Sequence, residues 1–110
     1  MFFRPSYNSM QELCEGLKKR KYIKSKKVEE SMIKVDRADF TSRHPYVDSP
    51  QPINYNVTIS APHMHAYCLE LLKDHLKPGA KALDVGFGSG YLTVAMSKMM
   101  DDKGDRKSVV

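Results

Sequence analysis

A chain of 110 residues with 41% hydrophobic and 28% charged side chains has room for one domain with a modest core, which excludes two domains and wholesale disorder. No apolar run reaches the ~18 residues of a membrane span, and no charged stretch followed by a long apolar one opens the chain, so the expectation is a soluble, unsecreted, cytoplasmic protein. The net charge of +5 is local: residues 18–27, KKRKYIKSKK, carry seven of the 18 basic side chains and no acid, leaving 11 basic against 13 acidic residues elsewhere.

Residues 1–7 have no pattern. Ser9-Met10-Gln11-Glu12 has the form of a capping box, in which a hydroxyl and a carboxylate each take an amide of the first helical turn. Met10, Leu13, Cys14 and Leu17 then recur at i, i+3, i+4 and i+7, which predicts a helix over 10–20. A second helix is predicted from Lys26 to about Asp36, with Ser25 as N-cap and Val28, Met32 and Ile33 on one face. Residues 41–56 read as loop, with Pro45, Pro50 and Pro52 removing backbone donors, and a loop that long in a small domain is either functional or a linker. Ser60-Ala61-Pro62 predicts a helix start with Ser60 as N-cap and Pro62 in the first turn. Met64, Tyr67, Cys68, Leu71, Leu72 and Leu76 follow at helical spacing until Pro78-Gly79 stops the helix. Residues 81–85 (KALDV) read as a buried parallel strand, 91–100 as a helix, 101–106 as a polar turn and 107–110 as the opening of another strand. Strand, glycine turn, helix and strand in that order begin a βαβ unit. Cys14 and Cys68, both in helical stretches, are expected to be reduced thiols rather than a disulfide or metal pair.

The turn after the 81–85 strand has the spacing Asp84-x-Gly86-x-Gly88-x-Gly90. Glycines in such a turn let a nucleotide-like ligand approach the backbone. The spacing is not the dinucleotide G-x-G-x-x-G, and no Gly-Lys-Ser/Thr follows as a phosphate loop requires. The bland alternative is a tight turn and nothing more. With an acid two residues before the first glycine, the stretch resembles motif I of the class I S-adenosylmethionine-dependent methyltransferases. NVTISAPHMHA, from Asn56 to Ala66, and HPYVDSPQPI, from His44 to Ile53, resemble the sequence that precedes motif I in the protein-L-isoaspartate O-methyltransferases. KKVEESMIKVDRADF, from Lys26 to Phe40, is similar to that family in character, so the resemblance runs from about Ser9 to the last residue.

The resemblance implies an α/β, Rossmann-like methyltransferase fold, here stopping after the first strand-helix unit and preceded by a helical segment. Residues 1–56 would be that segment with its Pro-rich loop, and 57–110 the start of the Rossmann-like domain. It implies S-adenosyl-L-methionine as cofactor and methylation of the free carboxyl of L-isoaspartyl and D-aspartyl residues in damaged proteins, the first step of protein repair. Isoaspartyl-containing peptides and proteins are the implied partners, without membrane or nucleic acid, and with a monomer as the expected state. The chemistry needs no strong base, because a carboxylate is ionised at pH 7 and a sulfonium methyl is already electrophilic; positioning and preorganised dipoles should dominate.

The family's active-site serine falls on Ser60, whose bland role is that of N-cap. Its cofactor contacts fall on Val57, Thr58, Ile59, Ser60, His65, Asp84, Gly86, Gly88, Ser89 and Gly90. An exposed helix histidine is the alternative for His65, and a metal pair of His63 and His65 is disfavoured because residues two apart do not share a helix face. Phe87 departs from the family's small Ser or Thr. In doubly wound folds an acid about 20 residues beyond the glycines takes the ribose hydroxyls; Asp101, Asp102 and Asp105 come too early for it. The expectation is therefore a truncated or alternative product with little activity, with Met96, Met99 and Met100 left without partners. Two other readings stand beside it: a basic module that binds nucleic acid through 18–27, and a regulatory fragment that associates with the full-length enzyme.

Overall fold

A computed structural model describes residues 5–53 and 57–109, with the side chains of 105–109 outside the description. In chain order the elements are α1 (Met10–Lys19), α2 (Lys26–Ile33), a 3-10 turn (Arg37–Asp39), β1 (Gln51–Pro52), β2 (Thr58–Ile59), α3 (Pro62–Leu72), β3 (Lys81–Val85), α4 (Tyr91–Met99) and β4 (Asp105–Val109). Strands β3 and β4 run parallel, with Lys81 opposite Asp105 and Val85 opposite Val109, on either side of α4 in sequence. This is the expected βαβ order. The loop over 41–56 is less irregular than expected: β1 pairs antiparallel with β2, Gln51 opposite Ile59.

The helices start where short polar side chains can take the first amides. Ser9 Oγ accepts from the Glu12 amide at 3.1 Å, and the Glu12 carboxylate accepts at 3.0 Å from the Asn8 amide, one residue earlier than a capping box requires. Ser25 Oγ accepts from the Val28 amide as N-cap of α2. That N-terminus gains a second cap from a distance: a carboxylate oxygen of Glu70, on α3, accepts from the Lys24 and Ser25 amides at 2.7 and 2.8 Å and from Ser25 Oγ at 3.0 Å. Burial opposes ionisation of Glu70, but these bonds hold its pKa below the ordinary value. Helix α2 ends at Ile33, before the expected Asp36, because Asp36 serves the next turn as N-cap, accepting from the Ala38 amide and from the Tyr46 hydroxyl.

One core is shared by all four helices: Leu13, Cys14 and Leu17 of α1, Val28 and Met32 of α2, Ala66 and Leu69 of α3, and Tyr91, Ala95, Met96 and Met99 of α4, closed by Ile59 and Met100. Each large apolar side chain removed from water contributes roughly 1.5–3 kcal/mol. Two expectations are overturned here. Met96, Met99 and Met100 are buried, because α4 packs against α2 as well as the strands. Strand β3 is parallel but not buried on both faces: Leu83 and Val85 are 62% and 69% exposed, while Ala82 and Asp84 on the other face are half-buried. On α3, too, Met64, Tyr67, Leu71 and Leu72 face outward, and the helix packs inward through His65, Ala66 and Leu69.

Cys14 and Cys68 are both free thiols. Burial, with help from Glu29, pushes the Cys14 pKa up to about 12, so it packs as an inert side chain. The basic run is interleaved with acids from other segments: Lys18 pairs with Glu29, Arg20 with Asp48, Lys26 with Glu30 and Lys27 with Asp101.

Candidate functional site

The glycine turn between β3 and α4 is built from backbone that other residues resist. Gly86, Gly88 and Gly90 have φ of +69°, +59° and +87°, all in the left-handed region. Apart from its chain neighbours Val85 and Phe87, no described residue has an atom within 4 Å of where a Gly86 Cβ would be. A Cβ at Gly88 would lie 3.1 Å from the Thr58 carbonyl oxygen and 3.7 Å from Val57 Cγ1. The turn and the segment 57–60, separated by some thirty residues in sequence, thus lie side by side at a glycine. Gly88→Ala is expected to destabilise the chain by about 1–2 kcal/mol through positive-φ strain and the close carbonyl. Chemical denaturation of wild type and variant measures this, and an unchanged midpoint would contradict the packing.

The other residues of the turn are held in place locally. Asp84 Oδ2 accepts from the Thr93 hydroxyl at 2.7 Å, joining the end of β3 to the first turns of α4. Ser89 Oγ accepts from the Tyr91 amide at 3.2 Å, and Gly90 stands at the N-cap of α4. Phe87 is half-buried, its ring 3.8 Å from where a Gly90 Cβ would be. The ring therefore lies beside Gly90, at the start of α4.

At the second motif, Val57, Thr58 and Ser60 are exposed and Ile59 is buried in the core. Ser60 is not the N-cap of α3. Pro62 is the first helical residue, which makes Ala61 the cap, and Ala61 supplies no side-chain bond. The first free amide, that of His63, goes instead to Asp48 Oδ1 at 2.9 Å. Asp48 also takes His63 Nδ1 at 2.8 Å and Arg20 Nη1 at 2.8 Å, although its side chain is almost wholly buried. The Ser60 hydroxyl is thereby relieved of capping.

His65 is not an exposed helix residue either. It is buried, stacked on the Tyr91 ring with centroids 4.8 Å apart, and its Nδ1 is 3.2 Å from Arg37 Nη1. Burial and the adjacent guanidinium lower its pKa to about 3, so it is neutral at pH 7. A guanidinium can only donate, so Nδ1 accepts and the proton resides on Nε2. His63 and His65 turn to different partners, as two-residue spacing on a helix requires.

The residue that sequence reading missed is Arg37. It is 0% exposed and donates through Nε to the Pro45 carbonyl at 2.8 Å and through Nη1 to the Ser60 carbonyl at 3.0 Å. Its Nη2 is buried without a partner among the described residues. Burial lowers its pKa to about 10, against the favourable pull of Tyr91 and Asp48, so it remains charged at neutral pH. The guanidinium lies 5.7 Å from the centroid of the Tyr91 ring, and the Tyr91 hydroxyl in turn donates to the Val35 carbonyl at 2.9 Å.

A parallel strand, a glycine turn in left-handed backbone and a following helix, with a second loop pressed on the turn, define an α/β protein of the class I, Rossmann-like methyltransferase type, carried as far as its first strand-helix unit and the next strand. Residues 8–110 match the family described as protein-L-isoaspartate(D-aspartate) O-methyltransferase, and the chain belongs to that family. It is 50% identical to the protein-L-isoaspartate O-methyltransferase of Caenorhabditis elegans over 104 residues, 94% of this chain and 46% of that protein. It is 56% identical to the enzyme of the same name from Triticum aestivum over 94 residues, 84% of this chain and 41% of that one. Among solved structures, a putative protein-L-isoaspartate O-methyltransferase from Plasmodium falciparum in complex with S-adenosyl-L-homocysteine superposes with a TM-score of 0.88 at 43% identity, over 93% of this chain and 49% of that one. The chain thus spans about half the length of the relatives it matches. No helix among the described residues is long and apolar enough to cross a membrane.

Proposed function

We propose that Val57, Thr58, Ile59, Ser60 and His65, with Asp84, Gly86, Gly88, Ser89 and Gly90, form this chain's share of an S-adenosylmethionine site. The reaction it serves is methylation of the free carboxyl of L-isoaspartyl and D-aspartyl residues in damaged proteins. The observation that carries the reading is the closeness of the Thr58 carbonyl to Gly88, where a Cβ would lie 3.1 Å from it, which sets the two motifs side by side. The cofactor fits the residues present: the turn has left-handed backbone at each glycine, and no residue beyond its chain neighbours fills the space at Gly86. When bound, the cofactor supplies an electrophilic methyl on a positively charged sulfur.

The chain's own residues provide placement rather than proton transfer. The exposed Ser60 hydroxyl, released from capping by Asp48, is the group suited to donate a hydrogen bond to a substrate carboxylate. Neutral His65 adds no charge that would repel a sulfonium. The three glycines add no side-chain atoms of their own to the approach, so what the protein supplies is orientation. Ser60 would hold the substrate carboxylate toward the methyl group, and because that carboxylate is already ionised at pH 7, no residue of the chain would have to take a proton.

With about half the family's length in this chain, weak cofactor binding and little turnover are expected. Isothermal titration with S-adenosylhomocysteine and a methyl-transfer assay on an isoaspartyl peptide test the two parts separately. No binding at millimolar ligand would overturn the site, and robust turnover would overturn the expectation of low activity.

A further inference from the structure

The Ser60 and His65 segments of the proposed site and the loop at Pro45 meet at one side chain that none of the site's motifs contains. The 3-10 turn after α2 delivers Arg37 into the interior, where it donates to the Ser60 carbonyl at 3.0 Å, to the Pro45 carbonyl at 2.8 Å and to His65 Nδ1 at 3.2 Å. His65 stacks on Tyr91, the first residue of α4 and the one that follows Gly90. The guanidinium therefore fixes the backbone at Ser60 directly and is linked to the glycine turn through the His65 and Tyr91 rings. A fully buried guanidinium is costly to desolvate, and hydrophobic packing alone would be served as well by an apolar side chain. Its fork matches carbonyl and imidazole acceptors that one ammonium cannot reach together.

We propose that Arg37 is the positioning residue of the site, holding Ser60 and the His65 ring in register with the glycine turn; this rests on the function proposed above. Arg37 acts through these groups and does not itself contact the reacting atoms.

The test compares wild type with Arg37→Lys, which keeps the charge but not the fork, with Arg37→Met, and with Leu13→Val, which loosens the core without removing any hydrogen bond of Arg37. Affinity for S-adenosylhomocysteine is measured by calorimetry and the melting temperature by calorimetric scan. Both Arg37 variants should bind at least tenfold more weakly, while Leu13→Val stays within threefold of wild type. Arg37 variants that bind within threefold of wild type would overturn the inference, as would Leu13→Val binding as poorly as they do at a similar loss of melting temperature. If Arg37→Met does not fold, Arg37→Lys carries the comparison.

Long-range nitrogen–proton NMR of the His65 ring decides the matter even if wild type binds nothing, an outcome that would sink the functional reading alone. Wild type and Leu13→Val should show Nδ1 at the nitrogen shift of an acceptor in a charge-assisted hydrogen bond, and the Arg37 variants should move it toward that of a free acceptor. An unchanged Nδ1 shift in both Arg37 variants would overturn the positioning role.

Discussion

Replacing Asp48 by Ala should cost about 3–4 kcal/mol of folding stability, more than any single exposed ion pair in the chain can contribute. The carboxylate is buried and fully occupied: it caps α3 at the His63 amide, takes His63 Nδ1, and pairs with Arg20 at 2.8 Å. Loss of a helix cap alone costs about 1 kcal/mol. The rest comes from stranding Arg20 and His63, and from freeing the loop that returns to α3. Asp48→Asn keeps an acceptor for the His63 amide but not the charge opposite Arg20, so it should lose about half as much. Urea unfolding of the three proteins orders them. An Ala variant within 1 kcal/mol of wild type would show that the cluster is superficial. The variant should also weaken S-adenosylhomocysteine binding at the site proposed above, because it leaves Ser60 to compete for the amides at the start of α3.

How much of this could be read from the chain depends on the range of each interaction. Ser9 and Ser25 act on amides three residues away, and both caps were legible, as were α1, the glycine turn and the parallel return into β4. Asp48 and Glu70 cap helices 15 and 45 residues distant, and no local spacing announces that. Asp48 also explains why the expected cap at Ser60 failed: a buried carboxylate supplied from the loop does the capping, and Pro62 moves the helix boundary one residue on. Arg37, in VDRADF, has the appearance of a solvated charge among acids; only the fold turns it inward. Its one signal was a basic residue just upstream of the Pro-rich loop whose carbonyl it takes.

The inward face of α3 is not legible for a different reason. A helix declares its buried side only when the opposite side is polar. In α3 large apolar residues occupy one face, Met64, Tyr67 and Leu71, while the other mixes His65, Ala66 and Leu69. Size favoured the first set, yet the close approach to α1 and α2 is made through the smaller second set. The same inversion leaves Leu83 and Val85 of β3 exposed while the α4 methionines are buried.

The buried histidine gives the chain an acid sensitivity with a definite window. In the folded state His65 resists protonation until about pH 3, because it is buried and faces the Arg37 guanidinium, while its ordinary value is 6.5. Between those values the unfolded chain binds the extra proton, so stability must fall as pH falls; above 6.5 both states are neutral and the contribution is complete. The slope approaches about 1.4 kcal/mol for each unit below 6.5, which makes the loss about 2 kcal/mol at pH 5. Glu70 also has a depressed folded pKa, and its stabilisation is lost only as pH falls below the ordinary carboxylate value of 4.5. His65→Gln, whose side-chain oxygen can still accept from Arg37, should remove the loss between pH 7 and 5. It should leave the steeper decline at lower pH in place. Unfolding free energies of both proteins across pH 7 to 4 test this. A wild-type profile that is flat down to pH 5, or one that His65→Gln leaves unchanged, would show that the ring is solvated. The stack on Tyr91 would then be too loose to link Ser60 to the glycine turn.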